Sequence, residues 1–296
     1  MFYRRKILLA LLEKFNGNLN PTDFQKYLFL FSIKQAKRSF DFVPYKFGCF
    51  SFQSYADKRT LTKYGYLEAT DNWVLKDRKD FSMATLKHED VALLNSIHSS
   101  FKDKKGDELI RHVYKNYPYY AINSIIINRI LDTDECKIIN DIKTNYEDRS
   151  KKLFTIGYEG VSLEEYINKL IQNNVKILCD VRKNPISMKW GFSKSQLKTA
   201  VENVGITYIH IPELGINSEL RTKLISLDDY NALFKRYDEE ILPNKTIFLT
   251  EIMNLIKQHK RIALTCFEAN PTMCHRSRIV LALSRLLKQN IDILDL

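Results

Sequence analysis

An α/β fold, built on a mainly parallel open sheet with helices on both faces, is predicted for the second half of this 296-residue chain, behind an α-rich winged-helix domain. Three observations carry that expectation. From Leu153 onward, short apolar runs alternate with helical patterns, as in chained βα units. The first 75 residues instead read helix, helix, helix and hairpin. Between the two, Asp141 to Lys152 is polar and alternates in sign, which marks a linker. The expected division is a winged helix-turn-helix-like domain at 1–79, a helical connector at 80–147 and an α/β domain at 153–296.

Ile7, Leu8, Leu11, Leu12 and Phe15 form one stripe at helical spacing, ended by Gly17. Asn20-Pro21 supplies a cap and a first-turn proline for a second helix carrying Phe24, Leu28 and Phe31. Beyond the extended Phe42 to Tyr45, Gly48 turns the chain into a third helix over about 51–64. Tyr66-Leu67-Glu68 and Trp73-Val74-Leu75, joined by Thr70-Asp71-Asn72, read as a two-stranded wing. In that order the third helix enters the major groove, showing Ser51, Gln53 and Ser54 with Lys58, Arg59 and Lys63 as its DNA-binding cations. The same fold also serves as a protein-docking module, so a protein partner is the alternative occupant. Phe24-Gln25-Lys26 through Phe42 to Gly48 resembles the helical antitoxin-associated domain called Panacea. In the connector, Tyr114, Tyr117, Tyr119 and Tyr120 crowd around Pro118 and are expected to pack rather than to stack on bases.

Charge favours a polyanionic partner. Lys and Arg number 46 against 35 Asp and Glu, a net +11, and the excess is present on both sides of Ser150. DNA or another nucleic acid is the expected partner. The apolar runs fall short of the roughly 18–20 residues a bilayer span needs, and the stretch behind Arg4-Arg5-Lys6 is broken by Glu13 and Lys14. A cytoplasmic protein without membrane contact is expected. The five cysteines form no CxxC pair, which argues against a disulfide scaffold or a zinc ribbon.

In the second half, Leu153 to Gly157 is the first strand, and Ser162 caps a helix through Asn173 with Glu164 and Glu165 in its first turn. Val175 to Val181 is the second strand, Phe192-Ser193 opens a helix through Asn203, and Ile206 to Ile211 is the third strand. Helices follow around Tyr230–Ile241 and Thr250–His259. Ile262 to Cys266 is the fourth strand, with a helix from Pro271 to Lys288 and a terminal Ile291 to Leu294.

Open parallel sheets gather ligands at the carboxyl ends of their strands. There this sequence sets Tyr158-Glu159-Gly160, Asp180-Val181-Arg182-Lys183-Asn184-Pro185, Pro212-Glu213-Leu214-Gly215 and Cys266-Phe267-Glu268. Buried charge is costly, so a carboxylate behind each of four strands points to chemistry rather than packing. Asp180, Glu213, Glu268 and His275 are the catalytic candidates. Tyr158, Arg182, Lys183, Cys274 and Arg276 are the substrate and phosphate candidates, the last two at the start of the final helix, where free N–H groups attract anions.

Those motifs, with Thr155 to Gly160, Gly191-Phe192-Ser193 and Cys274-His275-Arg276-Ser277, resemble the prokaryotic family called domain of unknown function 488 over residues 153–288. The resemblance implies an α/β domain whose motif residues cluster, in a family suspected of acting on nucleic acids or modified bases. The expected function is therefore a nucleic-acid-processing hydrolase, directed at DNA, that removes a base or cleaves a phosphodiester, with phage defence as a candidate setting. Glu268 or Asp180 would be the base and Glu213 or His275 the acid. No metal ligand is assigned, because Cys-x7-Cys-His is not a recurring zinc spacing. No cofactor is certain; a divalent metal on Asp180, Glu213 and Glu268 stays open. The alternatives are a rhodanese- or phosphatase-like cysteine enzyme and a non-enzymatic DNA-binding regulator that senses a small ligand.

Overall fold

The computed structural model describes residues 1–76, 81–221, 227–287 and 291–296, and the chain divides into two compact units, Met1–Asn145 and Tyr146–Leu296.

In the first unit α1 (Tyr3–Lys14) leads into β1 (Asn18–Leu19) and α2 (Pro21–Ser32). Asn20 caps α2 by accepting from the Asp23 N–H at 2.9 Å, with Pro21 at the first helical position. A hairpin that the sequence does not announce follows, β2 (Val43–Tyr45) against β3 (Gly48–Phe50), before α3 (Phe52–Lys63). β4 (Trp73–Val74) pairs antiparallel with β1, and Leu67 bridges Leu75. The remaining helices are α4 (Phe81–Ala84), α5 (His88–Phe101), α6 (Gly106–Asn116), α7 (Ile127–Ile130) and α8 (Thr133–Thr144).

Leu94 and Ile97 of α5 and Leu109 and Val113 of α6 enter the same core as Leu8, Leu12, Phe24, Phe31 and Trp73. Residues read as a connector thus complete the core of the residues before them. The physical reason is area, since three short helices and a hairpin cannot bury Phe24 and Trp73, stacked at 3.6 Å, without a further layer.

The second unit is an α/β sandwich. β5 (Lys152–Gly157), α9 (Leu163–Gln172), β6 (Ile177–Asp180), α10 (Lys194–Glu202), β7 (Thr207–His210), α11 (Leu227–Arg236), α12 (Thr246–His259), β8 (Arg261–Cys266), α13 (His275–Leu287) and β9 (Asp292–Asp295) alternate along the chain. The strand order is β7-β6-β8-β5-β9, and every pairing is parallel. β6 and β8 are buried at every position, as a strand covered on both faces requires. Cys179, Ile262 and Leu264 face Ile252 and Ile256 of α12 and Ile279 and Leu283 of α13. On the other face Tyr166 of α9 donates to Thr265 at 2.7 Å.

The helix expected from Pro271 is shorter than its pattern. Pro271–Met273 is a single 3-10 turn, Cys274 is extended (φ −133°, ψ 138°), and α13 begins at His275. Among the described residues no helix is long and apolar enough to cross a membrane.

Candidate active site at the strand ends

β6 delivers Asp180 to the carboxyl edge of the sheet, where it is fully buried. Its carboxylate accepts from Arg182 Nε at 2.8 Å, Arg182 Nη2 at 2.5 Å, the Arg182 N–H at 3.1 Å and the Tyr208 hydroxyl at 2.5 Å. The other guanidinium nitrogen of Arg182 donates to the Tyr158 hydroxyl and the Phe192 carbonyl, both at 2.8 Å. Burial works against the Arg182 charge, and the Asp180 hydrogen bonds outweigh it, so its pKa lies above the ordinary arginine value. Burial, and then Asp180, push the Tyr208 phenol up. Four hydrogen bonds occupy the Asp180 oxygens, which leaves the carboxylate expected to be a general base engaged with Arg182 and Tyr208. Asp180 holds Arg182, and Arg182 braces Tyr158.

β8 ends differently. Cys266 Sγ donates to Glu268 Oε2 at 3.2 Å and lies 3.6 Å from His275 Nδ1, with Cys274 Sγ 3.9 Å from the same nitrogen. His275 Nε2 meets the Val181 carbonyl at 3.0 Å, so Nε2 carries the proton and Nδ1 turns its lone pair to the sulfurs. Cys266, Cys274 and His275 are buried, while Glu268 is half-buried and reachable. Burial, Cys266 and Glu268 hold the Cys274 thiol well above its usual range.

Arg276 is fully buried and donates to the Glu268 and Ala269 carbonyls, the latter at 2.9 Å, and to Asp295 at 3.4 Å. These contacts clamp the 268–269 backbone. Gly157 is required beside it, because a Cβ there would stand 1.9 Å from the Glu268 carbonyl oxygen. Gly215 does the same on the other side of the site, where a Cβ would meet the Lys183 N at 2.2 Å.

A cavity of about 510 Å³ opens between these strand ends, lined among others by Tyr158, Arg182, Lys183, Lys189, Cys266 and Phe267. Tyr158 stacks on Phe192 at 4.4 Å and meets Phe267 edge-on at 5.3 Å. Lys189 Nζ donates to the Tyr158 carbonyl at 2.7 Å, and burial lowers its pKa. Ile186, Met188 and Phe267 expose apolar surface around the mouth.

The expected site residues therefore separate. Tyr158, Arg182 and Lys183 line the cavity, and Glu268 lies outside that lining with its Oε2 3.2 Å from the Cys266 sulfur. Cys274 and Arg276, expected to bind phosphate, are buried and do not line it. Glu213 sits half-buried on the 3-10 turn Pro212–Leu214, also outside the lining. Among the described residues, the three acids suggested for a divalent metal do not form a group whose ligand atoms come close enough to share an ion, and the Asp180 oxygens are bonded to Arg182 and Tyr208. Lys189 and His210, whose Nε2 meets the Arg182 carbonyl at 2.9 Å, carry no sequence signal of their own. A wider hollow of about 690 Å³ beside α11 and α13 holds none of the strand-end groups.

In the first unit the structure turns one expected DNA contact inward. Lys58 is buried, and its ammonium donates to the Thr70 and Asp71 carbonyls at 3.0 and 2.7 Å, beneath Trp73. Desolvation makes that position costly for a cation unless such acceptors close over it. Arg59 and Lys63 are exposed, whereas Ser51 and Ser54 are buried and Gln53 is half-buried.

No curated protein and no solved structure matches the chain. The matched segment found begins at Ser162, beyond the Tyr158 loop, and ends within α13, so it holds the Asp180–Arg182 pair, Cys266, Glu268, Cys274 and His275. Over residues 162–283 this chain is similar to the family described as Domain of unknown function DUF488, whose model matches there.

Proposed function

We propose that the protein is a nucleic-acid-processing hydrolase whose reaction centre lies at the mouth of the β8 strand. The observation that carries this reading is the cavity itself, where Arg182, Lys183 and Lys189 stand with Tyr158, Phe267 and Cys266, whose sulfur lies 3.2 Å from the half-buried carboxylate of Glu268. Cations beside aromatic rings suit a ligand that alternates phosphate and base. Lys183 and Lys189 take the phosphate charge, and Phe267 offers its exposed ring to a base. Glu268 accepts the proton of an attacking water, or stabilises the cationic sugar if the bond broken is N-glycosidic. Asp180 acts through Arg182 as a positioning residue. The first unit supplies further contact through Arg59 and Lys63, as the exposed cations of a winged-helix-like surface.

The test is a panel of end-labelled single- and double-stranded DNA and RNA, with and without Mg²⁺, resolved before and after alkali. A direct break indicates phosphodiester cleavage, and a break only after alkali indicates base removal. Glu268→Gln should abolish either product. Binding without turnover across the whole panel would instead support a DNA-binding regulator.

One observation favours a second reading. Cys266 lines the cavity 3.6 Å from His275 Nδ1, a distance at which an imidazole can take a thiol proton. In a cysteine enzyme, iodoacetamide inactivates with protection by substrate, and Glu268→Gln survives.

A further inference from the structure

The acid–base reading uses Glu268 and leaves the two sulfurs and the imidazole beside it without a task. Among the described residues, Cys266, Cys274 and His275 are the group whose ligand atoms come close enough to share an ion, all within 4.8 Å of one another. We propose that these three residues bind one zinc ion, with the fourth coordination position open beside Glu268.

The geometry fits the ion. Tetrahedral zinc with Zn–S near 2.3 Å and Zn–N near 2.0–2.1 Å holds its sulfur and nitrogen ligands about 3.5–3.6 Å apart. The sulfurs of Cys266 and Cys274 lie 3.6 and 3.9 Å from His275 Nδ1. The imidazole is already oriented as a ligand, because its Nε2–H is spent on the Val181 carbonyl at 3.0 Å, as ligating histidines commonly arrange. Charge also balances. Zinc displaces one proton from each thiol to solvent, and two thiolates with a neutral imidazole leave the buried centre uncharged. Two sulfurs and one nitrogen select zinc over magnesium or calcium, which take oxygen.

The frame is rigid where the ligands leave it. Cys266 ends a fully buried strand, His275 opens α13, and Arg276 ties the intervening loop back through the Glu268 and Ala269 carbonyls. The seven residues between the cysteines defeat a spacing rule because the turn at Pro271–Met273 folds them back. Glu268 Oε2 lies 3.2 Å from the sulfur of Cys266, the ligand that lines the cavity. Three protein ligands and an open fourth position are the pattern of catalytic rather than structural zinc. The inference deepens the hydrolase reading, resting on it only for the meaning of the open position.

The experiment measures metal in the full chain, purified without chelators or a histidine tag, by plasma mass spectrometry. Cobalt exchange then reads thiolate coordination as a near-ultraviolet charge-transfer band. The expected result is about one zinc per chain and a cobalt band that disappears in Cys274→Ser. Zinc affinity, read against a chelating dye, should fall more than about a hundredfold in Cys266→Ser and Cys274→Ser. It should not change in Cys136→Ser, which removes a thiol that lies outside the cluster. Glu268→Gln should keep its zinc, and loss of zinc there would overturn the open fourth position. A folded wild-type chain that takes up neither zinc nor cobalt, with both thiols free to react, would overturn the site itself. Zinc without turnover on nucleic acid removes the hydrolase reading alone, and turnover in a zinc-free chain overturns the catalytic meaning of the open position alone.

Discussion

The two neighbouring strands β6 and β8 end side by side at the same edge of the sheet, and they end in opposite ways. At β6 a full charge, Asp180, meets a full countercharge in Arg182, and every strong acceptor site is taken by a short hydrogen bond. At β8 two thiols, an imidazole and a carboxylate meet at 3.2–3.9 Å. Ion pairs this tight fix geometry and resist change. Soft donors at longer range can exchange protons, bind an ion or attack. On the proposed reading the first end is scaffold and the second the seat of chemistry, although both carry acids that look alike on paper.

The strongest way to break that contrast is to exchange the roles of its two acids. Glu268→Gln should lower turnover by about 10²–10⁴, followed in a labelled-substrate time course, with its urea midpoint unchanged. Asp180→Ala should do the reverse, costing about 3–5 kcal/mol of stability because Arg182 is left buried without its partner. Replacing both Asp180 and Arg182 by apolar residues should recover part of that loss in urea unfolding. If Asp180→Ala kept its stability and lost only turnover, the assignment of roles would be inverted.

A backbone change sharpens the same comparison. Gly157→Ala drives a Cβ into the Glu268 carbonyl, so the 268–269 loop must move. Overpacking of this kind costs about 1–3 kcal/mol, and turnover should suffer more than stability because the displaced residue is Glu268. Equal loss in both would mean that the loop serves only packing.

On the first unit, Arg59→Ala with Lys63→Ala should flatten the dependence of DNA affinity on salt by up to about two phosphate contacts. Lys58→Ala should leave that slope alone and lower the melting temperature instead, since its ammonium holds the Thr70 and Asp71 carbonyls. A slope that responds to Lys58 and ignores its neighbours would reverse this.

The smallest effect concerns acid. A hydrogen bond from Lys115, then the Asp132 N–H and Arg111, hold Glu135 down to about 2. Its folded pKa lies below its unfolded value near 4.5, so its contribution is present above that value and fades as pH falls towards 2. Unfolding midpoints of Glu135→Gln and the parent chain should therefore converge across that interval. A gap that widened on acidification would contradict the pairing.

Alternation of apolar runs with capped helices announced the parallel sheet, because covered strands must be apolar on both faces and helices must carry the return. The capping box at Ser162 and Glu165 is readable three residues at a time. Local spacing likewise placed Asp180, Arg182, Glu268 and His275 near strand ends. It could not tell a pinned acid from a working one, since Asp180 is decided by Tyr208 of β7 and by the path of Arg182. Nor could it place Lys58, whose acceptors are carbonyls twelve and thirteen residues away.

What the sequence alone determined is the class of the second unit, its strand ends and the list of reactive side chains, since each depends on neighbours a few residues apart. Tertiary structure decided which of them meet. It carried α5 and α6 into the first core, folded Pro271–Met273 back so that Cys274 reaches Cys266, and spent Asp180 on Arg182. Those outcomes depend on contacts between residues far apart in the chain, and on the cost of leaving a buried charge or hydrogen-bonding group unpaired, which no local pattern records.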